Sequence, residues 1–406
     1  MNGRHGALLL LVAAGACGSA GMPRQPSGAP YDSASSQVVA PGVVHRRLVA
    51  NGGPFNINVV EVDLTRPGLV IAAMHAFDSL RGRERTTAMV AARAASGIPV
   101  LAAVNADFFN LETGENENNQ IVDGEILKAV HVTDSPFDSL HTIHTQFGMT
   151  CAGRPVMDRF AFSGIILTPP PAVALLPLDA INLAPRGDGM VLYTAPFGST
   201  PGDSSAHGTV EAPLRVVNRH GDTIFLRAAG QPHEGGGTPL HRGEAVLAGS
   251  GPAADVLKRL AGSLGPNNDL RIVSRFVPDR GPLCTLVGGW PRLIVDGRSI
   301  ADSVDRLEGT FRGFSLTRHP RTAVGFSSDS TKLYFVTVDG RSESSSGMSL
   351  AELATLLQSL GIYQGLNLDG GGSTTLVIRG KLVNHPSDSA GERAVGNALL
   401  VERKPR

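Results

Sequence analysis

The stretch Leu366–Thr375 has the sequence LNLDGGGSTT, in which three consecutive glycines directly follow a strand-like run. Asn367 and Asp369 alternate with apolar residues, so a strand would point both polar side chains to one face. The glycines form either a tight turn before the hairpin-like LVIRGKLV or a loop whose amides and hydroxyls face an anion such as phosphate. The stretch has no Gly-Lys-Ser/Thr, which disfavours nucleoside triphosphate binding by a P-loop.

A helix, a short turn, a strand and an Asn-x-Asp pair occur in this order twice. The first set has a predicted helix over 86–96 and ends in Asn105 and Asp107. The second has a predicted helix that begins with a capping box and ends in Asn367 and Asp369. Duplication and chance both explain the repetition. In either case the pairs are predicted at the ends of strands, where α/β sheets bind ligands.

Composition limits the class of protein. The 406 residues include 36 basic and 36 acidic side chains, giving a formal net charge of zero, and 42% are hydrophobic. These values predict a globular enzyme with no nucleic-acid surface. The predicted fold is α+β or α/β, a mixed β-sheet core packed with helices. One large catalytic domain is predicted over 41–403, with 165–280 either an inserted subregion or part of one sheet.

The amino terminus predicts export. Residues 7–16, ALLLLVAAGA, are too short for a membrane span and are typical of a signal sequence, here residues 1–17. Cys17 is either the lipidated first residue of a lipoprotein or lost by ordinary cleavage. Residues 18–40 are predicted to form a flexible tether. The mature protein is therefore expected outside the cytoplasm, with membrane contact through a lipid anchor only.

The other cysteines and the histidines carry weaker signals. Cys151 and Cys284 are permitted to form a disulfide in that compartment, but their pairing depends on geometry that the sequence does not give. No zinc-type Cys/His spacing is present. His385 follows the glycine stretch and is a candidate for the wall of a site.

Three aspartates follow apolar strand-like runs: Asp107, Asp339 and Asp369. A carboxylate at a buried strand end needs a partner or a function. Each could cap a turn. Two could act as acid and base across a glycosidic bond, or several could hold a divalent cation, Ca²⁺ or Mg²⁺. No cofactor is required by the sequence.

Arg321 and Arg393 are the candidates for holding an anion. Each precedes a strand-like segment, in RTAVGF and in RAVGN. The guanidinium group presents a planar fork that matches phosphate oxygens. A single arginine is more often part of a surface ion pair, so the phosphate interpretation depends on both lying near the glycine stretch.

Several motifs in order resemble the phosphodiester glycosidase family: RTAVGF, FVTVDGR, GMSLAELATLLQSLG, LNLDGGGSTT, LVNHPSD and GERAVGNALLV. They span Arg321–Val401. VNADFFN, QFGMTCAGRPV and GGWPRLIVDG extend the resemblance over most of Asn56–Val401, and it is weakest over 165–279.

The resemblance implies an extracytoplasmic hydrolase that cleaves a sugar-1-phosphodiester at the glycosidic C–O bond, giving free sugar and a phosphomonoester. Asp369 is the first candidate to activate water or stabilise the sugar cation, and Asp107 the second. The residues that the resemblance marks for the pocket are Asp107, Arg321, Asp339, Asp369, Gly371, Ser373, Thr374, Arg393 and Asn397. The patterns described above add Gly372, Asn105, Asn367 and His385.

The polar stretch ETGENENNQIVDGEIL, residues 112–127, leaves the function partly open. It contains Glu112, Glu115 and Glu117, and forms a substrate loop, a metal loop or a solvated insertion.

Two rival functions of the protein remain open from the sequence. One is a metal-dependent phosphodiesterase with aspartate ligands, and the other is a non-catalytic surface lipoprotein that binds phosphorylated glycans.

Overall fold

The computed structural model describes residues 31–50, 54–133, 135–169, 174–183, 188–201, 208–260 and 268–404. The predicted signal segment with Cys17, and residues 18–30 of the predicted tether, lie outside the described residues. The tether prediction is wrong for its last ten residues, because Tyr31–Ala40 forms a strand paired with Val43–Ala50. The buried apolar residues Val39 and Ala40 and the turn at Gly42, which has a positive φ, explain this hairpin.

Most elements are strands. The helices are α1 (Thr86–Ala95), α2 (Pro252–Leu260), α3 (Val304–Leu307), α4 (Arg312–Leu316) and α5 (Leu350–Ser359). The strands are β1 (Tyr31–Ala40), β2 (Val43–Ala50), β3 (Ile57–Asp63), β4 (Leu69–His75), β5 (Glu84–Arg85), β6 (Val100–Asn105), β7 (Gln120–Val122), β8 (Glu125–Lys128), β9 (Gln146–Thr150), β10 (Pro155–Asp158), β11 (Ala161–Leu167), β12 (Leu175–Leu178), β13 (Ala180–Ile181), β14 (Gly189–Thr194), β15 (Thr209–His220), β16 (Thr223–Ala228), β17 (His233–Glu234), β18 (Glu244–Ser250), β19 (Asp269–Val277), β20 (Leu283–Gly288), β21 (Arg292–Val295), β22 (Arg298–Ser299), β23 (Arg321–Phe326), β24 (Lys332–Val338), β25 (Gln364–Leu368), β26 (Leu376–Ile378), β27 (Lys381–Leu382), β28 (Ala394–Val395) and β29 (Asn397–Arg403).

Two sheets pack face to face around the main core. One has eight strands in the order β1-β2-β3-β24-β23-β25-β21-β22, and the other has five in the order β27-β26-β6-β29-β4. Strand β23 lies in the interior of the eight-stranded sheet, and all six of its residues are buried. Val324 packs into the core between the sheets, whereas the adjacent Ala323 packs on the opposite face under α5. This alternation is the period of two that a strand imposes.

Helix α5 covers the outer face of the eight-stranded sheet. Its predicted capping box is confirmed, because the Ser349 hydroxyl accepts from the Glu352 amide and the Glu352 carboxylate accepts from the Ser349 amide. Leu353, Leu356 and Leu357 are buried against the sheet. Each fully buried leucine contributes about 1.5–3 kcal/mol relative to exposure, so this face fixes the helix on the sheet.

A third sheet of nine strands is built entirely from residues 161–277, in the order β12-β11-β19-β16-β15-β18-β14-β13, with β17 on β15. It has its own apolar core, to which Leu257 of α2 contributes. A further five-stranded sheet, β10-β9-β20-β7-β8, and the pair β28-β5 complete the described part of the chain.

The α/β part of the fold prediction is wrong. In the described residues the strand pairs are antiparallel, except β13 with β14. The fold is mostly β, with helices packed on the sheets. Helix-then-strand order suggested parallel units, but the strands that follow α1 and α5 insert between antiparallel neighbours contributed by distant segments.

Cys151 and Cys284 form a disulfide at the edge where β9 meets β20, with their Cα atoms 4.8 Å apart. The Cys151 amide also donates to the Pro282 carbonyl at 2.8 Å. The bond thus joins adjacent strands that are 133 residues apart in sequence.

In the described part of the chain, no helix has the length and apolar character needed to cross a bilayer.

The double change Cys151→Ser and Cys284→Ser is expected to lower the free energy of unfolding by about 2–5 kcal/mol, because it frees a long loop in the unfolded chain. Urea denaturation of the variant and the parent measures this difference. The parent treated with a reductant should fall to the same midpoint. Equal midpoints for the oxidised parent and the variant would contradict a stabilising bond.

Candidate active site

The glycine stretch carries the chain from one sheet to the other. Strand β25 of the eight-stranded sheet ends at Leu368, and β26 of the facing sheet begins at Leu376. Between them the Asp369 amide donates to the Ala106 carbonyl at 2.9 Å, and Asn105 Nδ2 donates to the Asp369 carbonyl at 2.6 Å. The two Asn-x-Asp motifs, which belong to different sheets, therefore meet at this crossing.

The two asparagines of these motifs hold backbone. Asn105 Oδ1 accepts from the Thr322 hydroxyl at 2.9 Å and the Thr375 amide at 3.0 Å. Asn367 Nδ2 donates to the Trp290 carbonyl at 2.7 Å. Both are buried. Their contacts show that they fix the crossing, and the predicted binding of substrate by these asparagines stays a prediction.

Asp107 organises the polar loop that follows β6. Its side chain is only 2% exposed. Oδ2 accepts from the Asn118 amide at 3.0 Å and from Asn116 Nδ2 at 3.1 Å, and Oδ1 accepts from Asn118 Nδ2 at 2.8 Å. Burial raises the pKa of Asp107, although these hydrogen bonds oppose the rise. With both oxygens occupied, Asp107 positions the loop.

That loop presents Glu117, which lies between the two asparagines held by Asp107. Glu117 is half-buried, and its carboxyl accepts a hydrogen bond from Ser135. Burial and then the negative charge of Asp107 raise the pKa of Glu117 to about 8, and the charge of Asp369 adds to the rise. Glu117 is therefore mostly protonated at neutral pH.

Asp369 is the third carboxyl of the group. It keeps part of its surface accessible to solvent. Its pKa is raised to about 7, mainly by burial, while the Ser373 hydroxyl and Arg393 favour the charged form and Asp107 disfavours it. Two partly exposed carboxyls with raised pKa values, Glu117 and Asp369, thus lie near enough to the buried Asp107 for its charge to add to both pKa values. Such an arrangement is typical of acid–base sites.

A buried arginine lies next to this group. Arg321 is 1% exposed. Its Nε donates to the Met348 carbonyl at 2.8 Å, and Nη2 donates to the carbonyls of Phe314 and Thr317, both at 3.0 Å. It forms no ion pair with any described residue. Burial and the charge of Arg341 lower its pKa to about 10, so it stays charged at neutral pH without a carboxylate partner.

Arg341 approaches the glycine stretch from the surface. A Cβ on Gly371 would lie 3.1 Å from Arg341 Nη2, and Gly371 has a positive φ of 60°. Arg341 is exposed, itself has a φ of 59°, and contacts His319 Nδ1 at 3.3 Å through Nη2. A left-handed non-glycine residue at the rim of a site is a strained feature typical of functional positions.

Arg393 lies over Gly372. A Cβ at Gly372 would be 2.1 Å from Arg393 Nη2 and 2.2 Å from Asp388 Oδ1. Arg393 holds Asp388 with two hydrogen bonds, at 2.7 and 3.0 Å, and reaches the buried Ser373 hydroxyl at 3.5 Å. Gly372 is therefore required because Arg393 and Asp388 occupy the space of a side chain.

The remaining predicted residues hold the surroundings. Asp339 Oδ1 accepts from the His385 amide at 3.1 Å and Asn384 Nδ2 at 3.3 Å, which anchors the exposed His385. Asn397 Oδ1 accepts from the Asp107 amide at 2.9 Å, and its Nδ2 donates to Gln120. Thr374 is buried, and its hydroxyl has no partner among the described residues. These contacts give Asp339 and Asn397 structural roles, and their contact with substrate remains a prediction.

Sequence reasoning missed two residues. Glu117 lies in a stretch most easily explained as a solvated insertion, and Arg341 directly follows the VDG of a quoted motif. Both are brought to the site by contacts between distant segments, which local patterns do not show. Within the described ranges, no group of three or more His, Cys, Asp or Glu side chains is arranged to hold a metal ion.

Part of the chain is similar to the phosphodiester glycosidases. The family model described as phosphodiester glycosidase matches residues 223–402. The resemblance to this family is thereby confirmed, over the part of the chain that contains Arg321, Arg341, Asp369 and Arg393.

Two curated relatives are similar to parts of the chain. An N-acetylglucosamine-1-phosphodiester alpha-N-acetylglucosaminidase of Mus musculus is 33% identical over 114 residues, which are 26% of this chain and 22% of the mouse protein. An SPbeta prophage-derived protein of Bacillus subtilis (strain 168) is 44% identical over 84 residues, covering 21% of this chain and 13% of the relative. The chain thus matches less than a quarter of the length of these relatives.

Two solved structures share the fold. A hypothetical protein from Synechocystis superposes with a TM-score of 0.67 and 20% sequence identity. The match covers 90% of this chain and 63% of the Synechocystis chain. A protein from Burkholderia pseudomallei K96243, described by its name as exported, superposes with a TM-score of 0.63 and 23% sequence identity. The match covers 87% of this chain and 75% of the Burkholderia chain.

The change Asp107→Asn is expected to release the loop around Glu117, because an amide group would face the donors of Asn116 and Asn118. The loss of these bonds should cost about 1–3 kcal/mol and speed hydrogen exchange at the Asn118 amide. Hydrogen exchange and urea denaturation measure both effects. The surface change Asp279→Asn is the matched control. Unchanged protection at Asn118 would show that Asp107 does not hold the loop.

Proposed function

We propose that the protein is an extracytoplasmic hydrolase that cleaves a sugar-1-phosphodiester at the glycosidic C–O bond, releasing free sugar and a phosphomonoester. One observation carries the proposal. The partly exposed carboxyls Glu117 and Asp369, and the guanidinium groups of Arg321 and Arg341, which form no ion pair with any described residue, lie around the same crossing of the chain. In a sugar-1-phosphodiester the anionic phosphate is bonded directly to the anomeric centre of the sugar. A site for this substrate therefore needs cationic groups for the phosphate next to carboxyl groups for the sugar.

The phosphate belongs on the arginine side. A buried charge without a counterion is costly, and an anionic ligand removes that cost. Arg321 and Arg341 supply charge, while the glycines at 370–372 let an anion approach the backbone closely. Arg393 is already paired with Asp388, so its contribution is smaller.

The sugar then lies toward the carboxyls. Water attacks the anomeric carbon, its proton passes to the Asp369 carboxylate, and the C–O bond breaks with its electron pair leaving on the phosphate oxygen. A base with a pKa near the working pH is well suited to this transfer. Phosphate is a weakly basic leaving group, so its charge needs stabilisation by the arginines more than protonation. The protonated Glu117 is free to donate a hydrogen bond to a sugar oxygen.

Export is part of the proposal. The disulfide between Cys151 and Cys284 suits an oxidising compartment. The apolar run at 7–16 provides a signal for export, and Cys17 a site for a lipid anchor.

Hydrolysis in ¹⁸O-labelled water tests the bond that is cleaved. With an N-acetylglucosamine-1-phosphodiester as substrate, we expect label in the sugar and none in the phosphomonoester. Asp369→Asn should lower kcat by at least about 100-fold, as loss of general base catalysis implies, and the surface change Asp279→Asn should leave it unchanged. Sugar-1-phosphate carrying the label would identify a phosphodiesterase instead. Turnover that resists addition of a chelator would separate the proposal further from the metal-dependent rival.

The pH profile tests the two carboxyls. Activity requires Asp369 charged and Glu117 protonated, so kcat/KM should rise with pH through about 7 and fall through about 8. Glu117→Gln keeps a hydrogen-bond donor but no longer titrates, and should therefore abolish the alkaline fall. The exposed neighbour change Glu112→Gln should keep both limbs. An alkaline limb that persists in Glu117→Gln would refute the role given to Glu117.

A further inference from the structure

A large cleft opens beside Glu117. It has a volume of about 840 Å³ and is lined by residues 109–113 and 115–117 together with Lys128, Val130, Val132, Thr133, Pro136, Phe137, His141 and Leu183. Its inner part is polar, with Asn116, Glu117 and Lys128. Its rim carries the exposed apolar side chains of Leu111, Val132 and Phe137, the last 60% exposed.

The cleft continues the carboxyl side of the site. Asn116 lines the cleft and donates to Asp107, and Glu117 lines it while the charges of Asp107 and Asp369 act on Glu117. The lining segments do not include Arg321, Arg341 or Arg393. A ligand that enters the cleft from the reaction centre therefore extends away from the phosphate.

The charges of the lining disfavour an anion. Glu112 and Glu115 line the cleft, and the lining cation Lys128 is already held by Glu115 at 2.8 Å. Anions bound here would be repelled. A neutral polyhydroxyl chain has no such cost, and its apolar ring faces can pack on the side chains of the rim.

A buried acceptor at the inner end has no partner. Asn116 is 2% exposed. Its Nδ2 bonds Asp107 and the Asn118 carbonyl, but Oδ1 has no hydrogen-bond partner among the described residues. An unsatisfied buried acceptor is costly, and a hydroxyl donor in the cleft would satisfy it.

We propose that this cleft binds the sugar side of the substrate and that it holds at least two linked neutral sugars. The second sugar packs on Phe137. The volume supports this length, since it lies near the upper end of the roughly 300–1,000 Å³ range of small-ligand sites and exceeds the need of one sugar ring. The inference rests on the proposed function, which places the phosphate on the arginine side.

Binding measurements decide the inference independently of turnover. Calorimetry on the Asp369→Asn variant compares two methyl phosphodiesters, one of N-acetylglucosamine and one of its β-1,4-linked dimer. We expect the dimer to bind about tenfold more tightly. Adding Phe137→Ala should remove most of that gain, whereas adding Leu175→Ala, an equally exposed apolar change on β12, should preserve it.

Three results would overturn the inference: equal affinities for the two esters, a gain that survives Phe137→Ala, or a Phe137-dependent gain when the alcohol side is lengthened instead. Failure of the proposed function would give a different experimental result. In that case the parent protein leaves the monosaccharide ester intact or cleaves its P–O bond, while the affinity ratio in the Asp369→Asn background still decides whether the cleft binds a longer glycan.

Discussion

The passage of the chain between two packed sheets at Asp369–Thr375 is the constraint on which the site depends. Two backbone-directed hydrogen bonds, from the Asp369 amide and the Asn105 side chain, join the strand ends of different sheets. The closeness of these ends leaves little room, so the chain uses glycines where Arg341 and Arg393 come near. The same crossing therefore fixes the sheets, places Asp369 and admits the arginines.

Charge separation across the crossing explains what the site is built for. Arg321 is buried and balanced by carbonyl oxygens, with no described carboxylate beside it. On the other side lie Asp107, Glu117 and Asp369, whose pKa values are raised mainly by burial, and for Glu117 and Asp369 also by the negative charges of neighbouring carboxylates. Direct neutralisation of one set by the other would give a stable but inert core. Keeping them apart costs stability and leaves each set available to a ligand with one anionic and one polyhydroxyl end.

The sequence predicted the local elements well and the functional roles less well. The capping box at Ser349 and the strand β23 follow from residue patterns, and the structure has both. The conclusion that Asn105 and Asp107 lie at a strand end was also right. Their roles were not readable, because Asn105 holds backbone 264 residues away and Asp107 holds the loop of Glu117. The antiparallel order of the sheets depends on the same distant pairings.

A crystal structure of the Asp369→Asn variant with an intact sugar-1-phosphodiester tests the central claim most directly. The account predicts phosphate oxygens within hydrogen-bond distance of Arg341 and close to the glycines that face Arg321. The sugar should lie against Glu117 and extend into the cleft. A phosphate bound among Asp107, Glu117 and position 369, or a sugar lying over Arg341, would contradict it.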